Sequence, residues 1–361
     1  IMKKVLLVAG GTGGHIFPAL ALGQWLQREK AEDIHVMYAC GSRPLELEMY
    51  RQSGVEPIVL PIEGSPFGIK KIKTISRRSL GICKAIGKSM ALMKKMRPDF
   101  CLLFGGYVSF APLIAALLCR VPVAVHEQNT IAGKVTRIAH KLHLPIFSGW
   151  QECEPFQADS FYYAGIPIRN FQKVDRREAW SKLDVGIDIP EGPIIGVLSG
   201  SLTSSPLFKV ICELSAEPEF RHVSFLVVGG KGICPNSNTM IAVERQWDMS
   251  IIYSVVDIVI ARAGASTLAE LLACAIPSLI VPWGGAADGH QLSNARLFKK
   301  LTGNYVWDES SPAQVLKQNL VQCLSQERDE SAKGGALVPW QNQSCELIWK
   351  TLISLVRRES L

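Results

Sequence analysis

The sequence predicts an α/β protein built from two doubly wound, parallel-sheet units in tandem. Three observations carry that expectation. Short apolar runs alternate with amphipathic stretches of helical spacing, the pattern of parallel strands joined by crossover helices. Many of the runs end in glycine or serine turns, as at Gly10–Gly14, Gly105-Gly106 and Ser199–Ser204. The whole pattern then restarts near Ala164, in a chain of 361 residues that is long for one core and comfortable for two.

The first strand is Val5-Leu6-Leu7-Val8-Ala9, apolar at every position and therefore buried on both faces. It enters Gly10-Gly11-Thr12-Gly13-Gly14-His15, and helical apolar spacing resumes from Ala19 to Lys30. Glycines there permit positive φ and let a ligand approach the main chain without a Cβ in the way. The following helix aims its N–H groups and positive dipole end at the same spot, which suits a phosphate or diphosphate. A turn that only binds phosphate has no need of a titratable ring. His15 is therefore either a hydrogen-bonding cap of the turn or a group that meets the substrate.

Ile34–Cys40 predicts a second strand, followed by Gly41-Ser42-Arg43, and Val55–Leu60 a third. Cys101–Phe104 is the fourth, ending in Gly105-Gly106-Tyr107, and Val121–Val125 the fifth, ending in His126-Glu127-Gln128-Asn129. Ligands of open parallel sheets gather beyond the carboxyl ends of the strands. The turns after the first, fourth and fifth strands should therefore converge.

Between the third and fourth strands lies Gly64–Arg97, with ten Lys or Arg and no acid. Ile72, Ile75, Leu80, Cys83, Ile86, Met90 and Met93 recur at three-to-four spacing, which predicts an amphipathic helix facing the sheet in its second half. In the first half, Lys70, Lys71, Lys73, Arg77 and Arg78 surround Ile69, Ile72, Ile75 and Leu80. Cations around exposed aliphatic side chains suit peripheral binding to anionic lipid.

The second unit begins near Ala164-Gly165-Ile166-Pro167-Ile168-Arg169. Ile194–Leu198 enters Ser199-Gly200-Ser201-Leu202-Thr203-Ser204, and Val223–Val228 enters Gly229-Gly230. Ile258–Ala261 ends in Arg262-Ala263-Gly264-Ala265-Ser266-Thr267 before a helix to Ala275, and Leu279–Pro282 ends in Trp283-Gly284-Gly285. Leu347–Arg357 predicts a last amphipathic helix. The expected boundaries are residues 1–163 and 164–342, with a helix at 343–361 packing back on the first domain.

Charge and cysteines narrow the setting. Residues 1–150 carry 20 basic and 9 acidic side chains, the remainder 19 and 23. This asymmetry points to an anionic partner of the N-terminal half, here lipid rather than nucleic acid. Ten cysteines without a C-x-x-C pair suit reduced thiols in the cytoplasm. The first apolar run stops after five residues, too short for a secretory signal, and no run approaches the 18 needed to span a membrane. His140-x-x-His143 has metal-like spacing on a helix but no third ligand nearby. No D-x-D pair occurs.

Arg262–Glu270 supplies main-chain N–H groups for a diphosphate and, in Glu270, a carboxylate for ribose hydroxyls. Asp288, His290, Gln291 and Asn294 follow the next strand end. A dinucleotide oxidoreductase competes with this reading. However, the third glycine of G-x-G-x-x-G falls at Ile16, and the second strand ends at Arg43, suited to a 2′-phosphate, rather than at an acid.

Gly10–His15, Gly105-Gly106-Tyr107, His126–Asn129 and Arg262–Glu270 together resemble the MurG family, the peptidoglycan N-acetylglucosaminyltransferases that make lipid II from lipid I. The resemblance runs essentially end to end. It implies a GT-B fold, two Rossmann-like domains facing across a cleft. It implies inverting transfer of N-acetylglucosamine from UDP-GlcNAc to the 4-hydroxyl of the muramyl sugar of lipid I, without a metal or other cofactor, at the cytoplasmic face of the inner membrane. By motif match Glu270 would hold the ribose. Ser201 and the turn Ala265, Ser266, Thr267, Leu268, Ala269 would hold the diphosphate, with Arg169 and Gln291 also on the donor. Thr12, Gly13, Gly14 and Asn129 would bind the donor at its reacting sugar and face the acceptor. Gly11, Gly105, Gly106 and Tyr107 would meet the acceptor diphosphate, and His15 is the candidate general base. The family usually carries Gly-Gly-Ser-x-Gly-Ala where this chain has Ser199–Ser204, and a β-branched Thr203 resists positive φ. The residues before Asp248-Met249 also depart from the family pattern, and Gln246 is the candidate uracil contact there. Alternatives are another GT-B transferase with a lipid acceptor, an NADP-type oxidoreductase, and a lipid-associated scaffold that has lost turnover.

Overall fold

The computed structural model describes residues 4–30, 34–64, 72–198, 206–232, 234, 237, 239–286, 289–325 and 337–359, with the backbone alone at 72–79, 206, 337–342 and 357–359. Two compact units form, residues 1–169 with 339–361 and residues 170–338.

In the first unit the chain runs β1 (Lys4–Val8), α1 (Gly13–Glu29), β2 (His35–Cys40), α2 (Pro44–Gln52), β3 (Ile58–Val59), α3 (Ile72–Met96), β4 (Phe100–Leu103), α4 (Phe110–Cys119), β5 (Val123–Glu127), α5 (Lys134–Lys141), β6 (Ile146–Ser148) and β7 (Tyr162–Tyr163). All neighbours pair parallel, in the order β3-β2-β1-β4-β5-β6-β7. The strand order reverses between β1 and β4, so the crevice that parallel sheets use for ligands opens there. The turns after β1 and β4 stand at that point.

Helix α1 starts at Gly13 rather than at Ala19. Gly11 takes φ +91°, Thr12 is extended, and the Thr12 carbonyl accepts from the N–H groups of His15 (3.1 Å) and Ile16 (3.2 Å). The glycines that predict a turn are thus spent partly on the first turn of the helix, and His15 rides on it.

Helix α3 packs on α4. Its buried seam is Ala85, Ser89 and Met93, four residues apart, with Ile86, Met90 and Met96 half-buried beside it. Leu80 and Cys83, expected on the inner stripe, are exposed. Small residues at 85 and 89 bring the helices close, so the seam follows them rather than the bulkier side chains. Helix α5 stops at Lys141, and His143 follows in the left-handed region at φ +54°. The two histidines of the H-x-x-H spacing therefore do not share a helix face. His140 instead stacks on Phe156 at 4.2 Å.

The second unit runs α6 (Arg176–Lys182), β8 (Ile194–Leu198), α7 (Pro206–Ser215), β9 (Ser224–Val228), β10 (Met240–Val243), α8 (Met249–Val255), β11 (Ile258–Ala261), α9 (Ala265–Ala273), β12 (Ser278–Ile280), α10 (His290–Thr302), β13 (Tyr305–Val306) and α11 (Ala313–Ser325). Its parallel sheet has the order β10-β9-β8-β11-β12-β13, reversing between β8 and β11. The last helix, α12 (Leu337–Glu359), belongs with the first unit from Pro339 onward. It buries Cys345, Ile348, Trp349 and Leu352, one helical face. The two parallel sheets with flanking helices are the doubly wound pair that the sequence predicts.

Candidate active site

In the first unit the three expected turns do meet. The Tyr107 ring lies against Gly11, where an added Cβ would come within 3.3 Å of it. The imidazole of His15 lies against Gly105 and Gly106, both at positive φ, and a Cβ on Gly106 would stand 3.2 Å from the ring and 2.9 Å from the Gly10 carbonyl. Only glycine fits this wall on both counts. Arg169 stacks its guanidinium on Phe17 of α1 at 4.3 Å.

From the end of β5, Gln128 reaches His15. Its Oε1 is 2.7 Å from His15 Nδ1, and its Nε2 contacts the His126 carbonyl (2.8 Å) and His126 Nδ1 (2.9 Å). His126 Nε2 lies 2.8 Å from the Gly165 carbonyl. His126 is fully buried and stacked on Phe104, and its pKa is pushed down to about 4 by desolvation, against partial opposition from its hydrogen bond to Gly165. It is neutral at physiological pH. Glu127, also buried, spreads its carboxylate over the main-chain N–H and side-chain amide of Asn129 (3.0 and 3.2 Å), the Gly133 N–H (2.8 Å) and the Thr136 hydroxyl (2.6 Å). Those bonds shape the loop that presents Asn129 and commit the acid to that task.

A second buried acid, Glu46, sits behind the glycine turn. It accepts from the Gly41 N–H at 2.8 Å and from the Tyr107 hydroxyl. A Cβ on Gly10 or on Gly41 would collide with its Oε2. Burial, then the bond to Glu46, pushes the Tyr107 hydroxyl pKa up, so Tyr107 stays a neutral donor. Arg43 stacks on the same ring at 4.6 Å. Glu46 looks like an ordinary helix acid in the sequence, and neither it nor Gln128 was singled out there. Only the missing Cβ atoms at Gly10 and Gly41, which make room for it, hinted at a side chain behind the turn.

In the second unit Gly264 precedes α9 in extended conformation, so Ala265, Ser266, Thr267, Leu268 and Ala269 form the first helical residues after β11. Glu270 is the sixth residue of that helix and only 3% exposed, with the Tyr253 hydroxyl donating to its Oε2 at 2.8 Å. Arg262 pairs with Glu309 at 2.9 Å, and Glu309 also accepts from the Leu207 N–H near the start of α7. Gln291 accepts from the Trp283 N–H at 2.9 Å and so shapes the loop after β12. Gln246 is half-buried and donates to the Glu244 carbonyl. Ser201, Asp288, Lys70 and Lys71 lie outside the described residues, as does the turn Ser199–Ser204. For Ile72, Lys73, Ile75, Arg77 and Arg78 the backbone of α3 is described. A cavity of about 370 Å³ in this unit is lined by Phe171–Arg176, α8 and Cys274–Pro277. It lies beside the residues that precede β11 and β12, not at the carboxyl strand ends, and so is separate from this chemistry.

The Glycosyltransferase family 28 N-terminal domain matches residues 5–147, and the Glycosyltransferase family 28 C-terminal domain matches residues 195–342. A Pseudomonas putida protein named UDP-N-acetylglucosamine--N-acetylmuramyl-(pentapeptide) pyrophosphoryl-undecaprenol N-acetylglucosamine transferase is 30% identical over 344 residues, covering 90% of this chain and 89% of its own. The chain belongs to the MurG family of glycosyltransferases. A Thermosipho africanus protein of the same name is 29% identical over 334 residues, 92% of this chain and 95% of its own. The crystal structure of Acinetobacter baumannii MurG superposes with a TM-score of 0.68 at 23% identity, over 96% of this chain and 99% of that one. The fold is GT-B. In this MurG-family chain the glycine turn of α1 and the segment Arg262–Glu270 each stand where their own sheet reverses.

Proposed function

We propose that this chain transfers N-acetylglucosamine from UDP-GlcNAc to the 4-hydroxyl of the muramyl sugar of lipid I, with inversion, to form lipid II. The observation that carries the reading is His15. It is half-exposed at the first turn of α1, set against a glycine wall, and held at Nδ1 with no hydrogen bond at Nε2 among the described residues. A ring so placed can accept the proton of an attacking hydroxyl. The test is direct: incubation with UDP-GlcNAc and a lipid I analogue should yield the disaccharide product by mass spectrometry. Binding of UDP with no product would leave a scaffold, and binding of NADP in place of UDP an oxidoreductase.

In this proposal the 4-hydroxyl loses its proton to His15 as its oxygen attacks C1 of the donor sugar, and UDP leaves from the opposite side. Thr12, Gly13, Gly14 and Asn129 bind the reacting sugar, and Gly11, Gly105, Gly106 and Tyr107 the acceptor diphosphate. Glu270 takes the ribose, Gln246 the uracil. Ser201, Arg169, Gln291 and the N-terminus of α9 take the donor diphosphate, whose growing charge the helix N–H groups stabilise. That arrangement needs no metal, in keeping with a sequence that lacks a D-x-D pair. Transfer should therefore continue in excess chelator with little loss. Abolition by chelator and rescue by Mg²⁺ or Mn²⁺ would refute this part of the mechanism.

The acceptor carries a lipid, so the first unit must bind where its head group emerges, at anionic lipid on the cytoplasmic face of the inner membrane. Among the described residues, no helix is long and apolar enough to cross a membrane. Leu80, 57% exposed on α3, the helix whose first turns carry Lys73, Arg77 and Arg78 in sequence, supports a peripheral contact. Each cation near such a surface contributes about 1 kcal/mol, decaying within a Debye length. Replacing Lys70, Lys71, Lys73, Arg77 and Arg78 by glutamine should abolish sedimentation with anionic vesicles and leave UDP binding unchanged. A wild type that ignores such vesicles at low salt would show the segment to be an ordinary solvated crossover.

A further inference from the structure

We infer that Gln128 is the positioning residue for His15: its side-chain oxygen holds the proton on Nδ1 and leaves Nε2 as the ring's one basic atom. The assignment follows from which groups can donate. The His126 carbonyl can only accept, and it lies 2.8 Å from one end of the Gln128 amide. That end must be the NH2, because a flipped amide would set two acceptor oxygens against each other. The other end is then the oxygen, and at 2.7 Å from His15 Nδ1 it requires a proton on that nitrogen. The second amide N–H of Gln128 points at His126 Nδ1 (2.9 Å), which must be bare. His126 therefore carries its proton on Nε2 and donates it to the Gly165 carbonyl at 2.8 Å. Every donor in the chain His15–Gln128–His126–Gly165 has an acceptor, whereas the reverse assignment sets the Gln128 oxygen against the His126 carbonyl with no proton between them.

The clamp is rigid. Gln128 is 1% exposed and His126 fully buried, and the main-chain carbonyl of Gln128 accepts from the Trp150 indole at 2.8 Å. A protonated His126 would turn Nδ1 into a donor facing the amide NH2, so desolvation of His126 protects the relay. On the other side of His15, Gly105 and Gly106 lie against the ring, and a flip would replace the Nδ1 that Gln128 holds with Cδ2. The remaining titratable groups around the turn are engaged elsewhere. The Glu127 carboxylate binds Asn129, Gly133 and Thr136, Tyr107 donates to Glu46, and Arg169 stacks on Phe17. An amide oxygen also stabilises the imidazolium once His15 has taken a proton, without the full charge of a carboxylate. Gln128 thus sets the tautomer of His15.

The catalytic consequence rests on His15 as the base, whereas the tautomer does not. Nitrogen-15 NMR of histidine-labelled wild-type protein should show His15 protonated at Nδ1 and bare at Nε2 above its pKa. A His15 protonated at Nε2 in the wild type would overturn the inference with no variant needed. In Gln128→Leu, kcat should fall by about tenfold or more with both KM values near their wild-type levels. The acidic limb of the kcat profile should move to lower pH, because the imidazolium has lost its acceptor. Gln128→Glu must keep a proton on the oxygen that faces the His126 carbonyl, and it should leave the limb near its wild-type position, because its other oxygen still accepts from His15 Nδ1. Identical limbs in the two variants would also overturn it. If the NMR assignment stands and His15→Ala retains full kcat, the base reading has failed while the positioning of the ring survives.

Discussion

His15→Ala is expected to lower kcat by about 10²–10⁴-fold, the range of general-base assistance, with UDP affinity nearly intact. The split follows from where the ring sits. Its Nδ1 is engaged by Gln128, its ring lies against Gly105 and Gly106, and Nε2 of this half-exposed residue has no hydrogen-bond partner among the described residues. A side chain held in this way contributes little to binding the nucleotide, which in this proposal belongs mainly to the second unit. It contributes when a proton leaves the acceptor hydroxyl, which happens only on the way to the transition state. Loss of a transition-state interaction lowers kcat and kcat/KM together. Initial rates against both substrates, with UDP affinity by calorimetry, separate the cases. If only the KM values change, His15 is a binding residue and the base lies elsewhere.

The strand ends were legible because they depend on local pattern. Apolar runs closed by Gly10, Gly105 and Gly264 mark where buried backbone must turn, and parallel topology then places those turns on one edge of each sheet. Edge strands of two residues, β7 and β13, carry too little pattern to read, and β6 and β10 are also missed, whereas β3 falls inside the expected Val55–Leu60 but keeps only Ile58–Val59. The start of α1 escapes for a related reason: glycine propensity argues for a turn, whereas the extended Thr12 and its carbonyl begin a helix. The partners of the site residues are further out of reach. Gln128 lies inside a motif that the sequence singles out, yet its bond to His15 spans 113 positions and needs the β1–β4–β5 order. Glu46 is buried because Gly10 and Gly41 have no Cβ, a relation that no periodicity reports. Glu270 has the periodicity of an exposed helical acid, and it is the pairing with Tyr253 on α8 that makes it an inner residue.

That burial bears on the second large effect, Glu270→Ala, which should weaken UDP binding by about 1.5–3 kcal/mol, the worth of hydrogen bonds to a charged group. This is about 10- to 150-fold in Kd. A carboxylate only 3% exposed is held in one orientation, with Tyr253 donating to Oε2. Ribose hydroxyls that donate to it meet an acceptor whose side-chain entropy is already lost, so little of the gain is offset on binding. Glu270→Gln keeps the shape but turns one acceptor into a donor facing a hydroxyl, and should fall between alanine and wild type. Tyr253→Phe removes the restraint and leaves the charge, so its loss should be smaller than that of Glu270→Ala. Calorimetric titration with UDP reads all three, and thermal unfolding checks that each variant is folded. A folded Glu270→Ala protein that binds UDP like the wild type would show that the acid holds α8 and α9 together and takes no part in the donor site.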